Sequence, residues 1–392
     1  MVKYVRNPVN IRRVLGEKIQ FIQGDMAFVY GGILAGCSFF GGYPITPATE
    51  IAEGMARLLP RVGGMYLQME DEIASIASVI GASWGGSKSM TATSSPGFSL
   101  MMENYGFAAM TETPIVIVNV QRGGPSTGLP TLGSQGDMMQ SKWGTHGDFA
   151  AIALCPSTVQ ECLTMTIEAF NLAERYLNPV CIMADGEIGH LREKIIIPDE
   201  QSLHLIDRKT PEEMRIIEEK YGKSTLKIKG FPTFGNNYRK FITGLTHDEK
   251  GLPATFNQKE HEKLIRRITT KVTDDREKIT MVEKINLYDA DIAFVAYGAS
   301  ARAAEHAMYL ARKEGIKAGL LRLQLVWPFP IQEVRNLSRQ VDTIIVPEMN
   351  LGQIVHSVRE YVDGNCKVIE APKIGGISPH PEELLQIIKQ KR

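Results

Sequence analysis

The sequence contains little cysteine and no paired cysteine motif. Five cysteines are spread over 392 residues, and none of them forms a Cys-x-x-Cys pair. Disulfide frameworks, zinc sites and iron–sulfur clusters held within one chain depend on paired or closely spaced cysteines. We therefore expect buried free thiols. Any electron transfer connected with this chain must then use a cluster carried by another chain.

The chain also lacks net charge and long hydrophobic runs. Its 44 Lys and Arg balance 44 Asp and Glu, so electrostatics give no reason to expect nucleic acid as a partner. The longest apolar runs, such as 115–118, are far shorter than the roughly 20 residues that a membrane span needs. Lys3, Arg6, Arg12 and Arg13 interrupt the N-terminal apolar positions, which argues against a signal peptide. We expect a soluble, cytoplasmic protein that acts on a small molecule and does not bind a membrane.

Length and patterning predict two α/β domains. Residues 24–198 alternate short apolar runs with helix-length segments, which is typical of a parallel sheet covered by helices. A second, smaller doubly wound array is predicted for 286–392. Residues 199–285 are rich in charge, Gly and Pro and are predicted to be a linker. Residues 1–23 are predicted to be an N-terminal extension. Predicted strands lie at 38–42, 65–68, 89–93, 114–121, 151–154, 179–183, 291–297, 317–323, 343–346 and 367–370.

The first candidate motif, GGYPITP at 41–47, follows a predicted strand. Open α/β sheets bind ligands outside the carboxyl ends of their strands. Pro44 and Pro47 fix the backbone and leave the Thr46 hydroxyl free to point outward. The pattern alone favours a plainer interpretation, a rigid turn in which Thr46 caps the next helix.

The second motif is a run of three acids, Glu70, Asp71 and Glu72, at the start of a predicted helix. Acids at a helix start ordinarily complement the helix dipole. If they face a cleft, however, the three carboxylates cannot all ionise cheaply, and one of them can share a proton with a ligand nitrogen. The helix carries small residues along one face, which allows another backbone to approach closely. These are Ala74, Ala77, Ser78, Gly81 and Gly85.

The third motif is the Gly-rich loop 120–131, which follows the most apolar predicted strand. Its spacing fits neither a P-loop nor a dinucleotide-binding fingerprint. The loop places the guanidinium of Arg122 at a strand end, where it suits bidentate binding of a carboxylate. Pairing of Arg122 with a surface acid is an equal alternative.

Together these motifs resemble the alpha subunits of 2-oxoacid:ferredoxin oxidoreductases, nearest to the 2-oxoglutarate type. The resemblance covers about 23–198 and resumes at about 297–330. It is carried by several segments in order, namely 42–47, 70–74, 90–94, 111–114, 121–128, 321–322 and 327–330.

The resemblance implies a pyrimidine-binding parallel-sheet domain that holds half of thiamine diphosphate, followed by a smaller transketolase C-terminal-like α/β domain. It places the diphosphate and Mg²⁺ on a beta subunit with a Gly-Asp-Gly motif, which this chain lacks. No residue of this chain is assigned as a metal ligand. The iron–sulfur cluster is expected on a partner chain. By the same resemblance, ferredoxin accepts the electrons and coenzyme A accepts the acyl group. Gamma or delta subunits are further candidate partners.

The resemblance also implies roles for individual residues. Glu72 faces the pyrimidine, because Gly81 follows it at the spacing found in related domains, with Glu70 as the alternative. Thr46 contacts substrate or the thiazolium region, and Arg122 takes the carboxylate of the 2-oxoacid. Glu72, Thr46 and Arg122 are therefore the predicted catalytic residues. The predicted cofactor-binding residues are Tyr43, Pro44, Ile45, Thr46, Glu72 and Thr93.

Two other functions are compatible with a chain of this domain organisation. The beta component of a 2-oxoacid dehydrogenase shares both domain types, but the turn 43–47 and the loop 122–128 match the ferredoxin-linked family. A nucleotide- or acyl-CoA-binding module without thiamine is the alternative outside enzymes. The substrate is expected to be 2-oxoglutarate, with a branched-chain 2-oxoacid left open.

Overall fold

The computed structural model of the chain describes residues 11–221, 227–235, 241–364 and 366–390. The strands are β1 Ile19–Gln23, β2 Phe39–Gly42, β3 Met65–Gln68, β4 Ser89–Thr93, β5 Ile115–Gly123, β6 Leu129–Gly133, β7 Ile152–Leu154, β8 Pro179–Asp185, β9 Arg192–Ile196, β10 Val282–Ile285, β11 Ile292–Ala296, β12 Ala318–Leu323, β13 Leu325–Trp327, β14 Thr343–Glu348 and β15 Lys367–Pro372. The helices are α1 Ile11–Leu15, α2 Gly24–Ala35, α3 Thr49–Leu58, α4 Glu72–Trp84, α5 Ser95–Leu100, α6 Met102–Met110, α7 Gln140–Trp143, α8 Val159–Tyr176, α9 Gly186–His190, α10 Pro211–Tyr221, α11 Gln258–Thr273, α12 Arg276–Ile279, α13 Gly298–Lys313, α14 Ile331–Gln340, α15 Ile354–Tyr361 and α16 Pro381–Gln390.

The larger sheet has the strand order β13-β7-β8-β5-β4-β2-β3, and β6 pairs with β5 outside this path. The strands from β7 to β3 pair in parallel. Strands β4, β5 and β8 are buried along almost their whole length, because helices cover both faces of a parallel sheet. The predicted α/β class with a parallel-sheet domain is confirmed, and all these strands end at one edge.

The smaller sheet has the order β10-β12-β11-β14-β15. Its strands are parallel except for β10, which runs antiparallel to β12. Helix α13 packs on this sheet through buried alanines, whose small side chains bring the helix close to the strands. Strand β10 lies inside the range predicted as a linker, so the second sheet takes in residues before 286. The exact limits of the predicted domains stay a prediction.

The two sheets are joined by a short strand that the periodicity did not predict. Strand β13 follows β12 almost directly, yet it pairs antiparallel with β7 of the larger sheet, where Leu325 faces Leu154. The indole nitrogen of Trp327 also donates to the backbone oxygen of Met138 at 2.9 Å. A three-residue strand carries too little alternation to be recognised in the sequence.

The region 199–285 is anchored to the first domain where the structure describes it. Arg208 donates to both carboxylate oxygens of Glu174, at 2.8 and 2.5 Å. Helix α11 places Arg267 and the fully buried Lys271 against Glu112. Helix α10 also lies in this region, where the sequence showed poor periodicity. The described part of the predicted linker is therefore packed and ion-paired.

The described part of the predicted N-terminal extension, 11–23, contains regular secondary structure. Helix α1 and strand β1 belong to it, and β1 pairs antiparallel with β9 over its whole length. Residues 1–10 lie outside the described residues. Among the helices that the structure describes, none combines the length and apolar character needed to cross a membrane.

Candidate active site

The predicted site residues lie at the carboxyl edge of the larger sheet. The turn 43–47 follows β2, Thr93 ends β4, and Arg122 lies near the end of β5. Glu72 begins α4, which follows β3. Because β5, β4, β2 and β3 are consecutive neighbours in the sheet, their carboxyl ends form one continuous edge, the position where open α/β sheets bind ligands.

The three acids at the start of α4 have different environments. Asp71 is the N-cap, and its carboxylate accepts a hydrogen bond from the backbone N–H of Ala74 at 2.7 Å. Glu70 is exposed. Glu72 is only 5% exposed, and burial raises its pKa above the ordinary value; Asp71 adds to this rise and the Arg122 guanidinium opposes it. Of the three acids, Glu72 is the buried one, and burial favours the protonated form of its carboxyl.

The Glu72 side chain packs against Gly97 of helix α5, where no side chain blocks it. A methyl group at position 97 would collide with the Thr93 hydroxyl and with the Glu72 side chain. Thr93 itself is fully buried. The missing side chain thus lets Thr93 and Glu72 come together against the start of α5, a contact between β4, α4 and α5 that the sequence analysis did not identify.

Arg122 is tied to the turn that carries Thr46. Its Nη1 donates to the backbone oxygen of Thr46 at 2.7 Å, and its backbone N–H donates to Ser95 Oγ at 3.1 Å. Arg122 is buried, while Thr46 is exposed. The structure therefore brings the predicted substrate-binding arginine and the predicted turn into direct contact, with the Thr46 side chain accessible.

Asp137 is a polar residue of this region that sequence reasoning missed. Its Oδ2 accepts from Ser95 Oγ at 2.6 Å and from Asn119 Nδ2 at 2.9 Å. Burial raises the pKa of Asp137, and these two hydrogen bonds oppose the rise. Through Ser95 it reaches the Arg122 backbone. No short motif links these residues, so only the fold could reveal the connection.

Some buried polar atoms at this edge, Ser94 Oγ and Arg122 Nε among them, lack a hydrogen-bond partner among the described residues. Ser94 is the N-cap of α5 but makes no capping bond through its side chain, and its Oγ is unpartnered, as is Nε of Arg122. Buried polar atoms are normally paired. A bound polar ligand would supply the missing hydrogen-bond partners at this edge.

Apolar side chains are exposed on the elements that flank this edge. Exposed apolar side chains mark an interaction surface where they lie together. The exposed residues are Tyr43, Met65, Leu67, Ile73, Leu100, Leu129, Leu132 and Trp143.

Two family models match the chain. Residues 30–267 match the model described as "Pyruvate flavodoxin/ferredoxin oxidoreductase, thiamine diP-bdg". Residues 290–384 match "Pyruvate:ferredoxin oxidoreductase core domain II". The first match covers more than half of the chain and contains every predicted site residue.

Individual relatives agree with these matches. The chain is 54% identical to the 2-oxoglutarate synthase subunit KorA of Methanocaldococcus jannaschii, over 94% of this chain and 98% of that protein. It is 42% identical to the corresponding subunit of Archaeoglobus fulgidus, over 95% of this chain and 99% of that protein.

A solved structure adds the comparison in three dimensions. It is the 2-oxoglutarate:ferredoxin oxidoreductase from Magnetococcus marinus with 2-oxoglutarate, coenzyme A and succinyl-CoA bound, which matches with a TM-score of 0.88 and 36% identity. The match covers 96% of this chain and 65% of that longer chain. The resemblance and the fold class that the motifs predicted are confirmed. The chain belongs to the 2-oxoacid:ferredoxin oxidoreductase family, as an alpha-type subunit that contains its thiamine-diphosphate-binding domain.

Proposed function

We propose that this chain, together with a beta subunit, catalyses the oxidative decarboxylation of 2-oxoglutarate with coenzyme A to an acyl-CoA, CO₂ and reduced ferredoxin. The observation that carries the proposal is Glu72, a buried carboxyl with raised pKa at the ligand-binding edge of the sheet. The identity to 2-oxoglutarate synthase subunits over nearly the whole chain supports the choice of substrate.

Glu72 is proposed to hold the aminopyrimidine half of the cofactor. Thiamine diphosphate, when bound, supplies a carbon nucleophile for the 2-oxo group and holds the negative charge that departing CO₂ leaves. A carboxyl with raised pKa can share a proton with the pyrimidine N1′. Gly97 supports this role, because its missing side chain leaves room for Glu72 and Thr93 against α5.

The turn 43–47 and Arg122 are proposed to position the substrate. Tyr43, Pro44 and Ile45 would wall the cofactor, and the exposed Thr46 would contact the substrate or the thiazolium region. Arg122 has one amino group bonded to the Thr46 carbonyl, while its Nε is buried and unpartnered among the described residues. Binding of a substrate carboxylate would satisfy that donor once the side chain shifts to expose it.

The diphosphate and its Mg²⁺ are proposed to bind to the beta subunit, because this chain contains no Gly-Asp-Gly motif. The apolar side chains exposed around the site support such a partner, since an interface would cover them. Part of the small-residue face of α4 is also exposed, and Gly81 has open space where its side chain would be. Another backbone can therefore approach α4 closely.

Electron transfer is proposed to use an iron–sulfur cluster on a partner chain. Cys37, Cys155, Cys162 and Cys181 are buried, and burial raises the pKa of Cys37 and Cys181 to about 12. Such clusters are held by several closely spaced cysteine thiolates, and the absence of any Cys-x-x-Cys pair in this chain supports a cluster on another chain. Ferredoxin would then receive the electrons from the partner chain, with gamma or delta subunits as further members of the complex.

A titration with thiamine diphosphate and Mg²⁺ tests the divided site. The isolated chain should bind the cofactor weakly and show no turnover. Addition of the beta subunit should give tight binding with one cofactor for each pair of subunits, measured by calorimetry. Tight, stoichiometric binding by the isolated chain would contradict the proposal.

The substrate is tested on the reconstituted complex by ferredoxin reduction with 2-oxoglutarate, a branched-chain 2-oxoacid and pyruvate. We expect the largest kcat/KM for 2-oxoglutarate. A larger kcat/KM for the branched-chain acid would mean that the reaction type is as proposed but that the substrate is a branched-chain 2-oxoacid.

A further inference from the structure

Three side chains that can bind a metal ion meet behind the turn 43–47. Asp25 lies in the first turn of α2, Glu50 in the first turn of α3, and His190 ends α9. One ligand atom from each lies within 4.8 Å of the others. His190 Nε2 is 3.9 Å from Asp25 Oδ2 and 3.8 Å from Glu50 Oε1.

Asp25 needs a partner that the described residues do not supply. Its side chain is 0% exposed, and neither carboxylate oxygen accepts a hydrogen bond from any residue that the structure describes. A buried, unpaired carboxylate is strongly unfavourable unless a cation or a hydrogen-bond donor compensates it. Burial accordingly raises its pKa well above the ordinary value, and the nearby Glu50 adds to the rise.

The backbone of α9 restricts the position of the Asp25 carboxylate. A methyl group on Gly189 would lie 2.8 Å from Asp25 Oδ1, so the backbone of α9 passes directly over the carboxylate. The Gly24 backbone N–H donates to the Leu191 oxygen at 3.0 Å and fastens the two segments together. The Asp25 carboxylate is therefore held beside the end of α9, next to His190.

We propose that Asp25, Glu50 and His190 bind one divalent transition-metal cation, for which Zn²⁺ is the best probe. One imidazole nitrogen and two carboxylate oxygens form a donor set that suits Zn²⁺ and neighbouring first-row metals. Ligand atoms around tetrahedral zinc lie about 3.4 Å apart, given metal–ligand distances of about 2.1 Å. The two separations from His190 Nε2, 3.9 and 3.8 Å, exceed this by about 0.5 Å, and the Asp25 and Glu50 oxygens lie within 4.8 Å of each other.

Small side-chain rotations close that difference. The side chains of His190 and Glu50 are 37% and 41% exposed, so both have freedom to move, whereas Asp25 is fixed by its burial. The divalent charge would neutralise the two carboxylates. A water molecule would complete the coordination from the solvent side as the fourth ligand.

The proposed ion would stabilise the base of the turn that carries Thr46. Helix α3, which contributes Glu50, begins at Thr49, just after the turn. A methyl group on Gly186, the first residue of α9, would lie 3.4 Å from Pro47, so α9 also packs close to the turn. One cation would thus connect α2, α3 and α9 beneath the candidate active site.

Metal binding by the full-length chain tests the proposal. The chain is stripped with a chelator and dialysed against Zn²⁺, its metal content is measured, and the visible spectrum is recorded after loading with Co²⁺. Wild type should bind about one equivalent, as expected for one three-ligand site. Asp25→Asn and His190→Gln should weaken binding by more than the roughly 10- to 100-fold that outer-shell changes cost.

Glu53→Gln is the matched control, because Glu53 is an exposed acid on the same helix as Glu50. It should keep full zinc binding. Zn²⁺ should raise the Tm of wild type and of this control, and should leave Tm unchanged in the two ligand variants. Asp25→Asn removes a buried carboxyl that has no hydrogen-bond partner among the described residues, so the metal-free variant should fold at least as well as wild type.

Two results would overturn the proposal. If metal-stripped wild type takes up no zinc, the three side chains form only a polar contact. If all variants bind zinc equally, the metal is bound elsewhere, for example by a cysteine.

Discussion

The active-site edge and the contact between the two domains are both buried and polar, but they differ in how their polar atoms are satisfied. At the domain contact, Gln135 donates to Asp185 Oδ2 at 3.2 Å and to the Tyr297 oxygen at 3.0 Å. Its Oε1 accepts from Ser300 Oγ at 2.9 Å. We call this contact the domain junction; its members are Gln135, Asp185, Tyr297, Ser300, Glu348 and Asn350.

Glu348 shows how complete the pairing at the domain junction is. Its carboxylate accepts hydrogen bonds from the Tyr297 hydroxyl at 2.7 Å and from Asn350 at 3.1 Å. It also accepts from three backbone N–H groups at the start of α15, at 2.9 to 3.0 Å. At the active-site edge, by contrast, Ser94 Oγ and Arg122 Nε are buried without partners among the described residues.

The contrast separates two uses of buried polar groups. A fully paired network fixes the geometry of its members, because breaking any bond leaves a buried group unsatisfied. Unpaired groups at a sheet edge weaken the isolated fold slightly but remain available to a ligand. Substitutions at the edge should therefore change activity with little effect on stability, and those at the domain junction should do the reverse.

The largest expected effect is on activity, for Glu72→Gln in the reconstituted complex. Glutamine keeps the volume and can still form a hydrogen bond, but it cannot exchange a proton with the pyrimidine. Turnover should fall by about 10² to 10⁴, the usual contribution of acid–base catalysis. The free energy of unfolding should stay close to that of wild type, measured by urea denaturation.

Glu70→Gln is the control for this substitution, because Glu70 is exposed at the same helix start. It should cost at most about 1 kcal/mol of stability and leave turnover unchanged. If Glu70→Gln abolishes turnover while Glu72→Gln does not, the cofactor glutamate is Glu70. If neither variant loses activity, the thiamine role proposed for this helix is wrong.

Next in size is the loss of stability expected for Glu348→Ala. The substitution leaves the Tyr297 hydroxyl and several backbone donors buried without an acceptor, so the free energy of unfolding should fall by on the order of 3–5 kcal/mol. Glu370→Ala removes an ion pair with Arg359 whose side chains are both partly exposed, and should cost less than about 1 kcal/mol. Equal losses in the two variants would show that the domain junction is no stronger than a surface contact.

A smaller, pH-dependent effect is expected for Asp185. Burial raises its pKa to about 6, although backbone hydrogen bonds from Ala299 and Ile188 oppose the rise. Because this pKa lies above that of the unfolded chain, about 3.9, Asp185 stabilises the fold at low pH, and this contribution is lost as pH rises from about 4 to 6. The loss should be about 2 kcal/mol.

Asp185→Asn provides the comparison, since asparagine does not titrate. Urea denaturation of both proteins at several pH values gives the difference in the free energy of unfolding, in which all other titrating groups cancel. The free energy of unfolding of wild type should fall relative to that of Asp185→Asn as pH rises from 4 to 6. A difference independent of pH would mean that Asp185 titrates at its ordinary value in the folded chain.

The smallest effect is expected for Arg122→Lys. Lysine can replace one hydrogen bond of the guanidinium but not both the bond to the Thr46 carbonyl and a second bond to the substrate. The KM for the 2-oxoacid should rise roughly tenfold, equivalent to about 1.4 kcal/mol, with a smaller change in cofactor affinity. Arg61→Lys, at an exposed arginine, is the control and should change neither the KM nor the cofactor affinity. Unchanged kinetics in Arg122→Lys would mean that Arg122 does not bind the substrate.

Local sequence patterns predicted the main elements well. The strands Met65–Gln68 and Ser89–Thr93 were predicted with the bounds observed, and the other predicted strands differ from the observed ones by one or two residues at an end. Apolar periodicity and turn residues act over a few neighbouring positions, so these features can be read directly. The order of short motifs along the chain was also sufficient to identify the family.

Contacts between distant segments could not be predicted in this way. The separate roles of Asp71 and Glu72 depend on which of them faces Gly97, and the pairing of β13 with β7 depends on how the two domains dock. Asp25, Glu50 and His190 come from three helices and share no sequence motif. Periodicity and turn chemistry are local, and they determined the elements and the family of this protein; burial and electrostatics depend on neighbours brought together by folding, so only the tertiary structure decided which carboxyls are paired, protonated or available to a ligand.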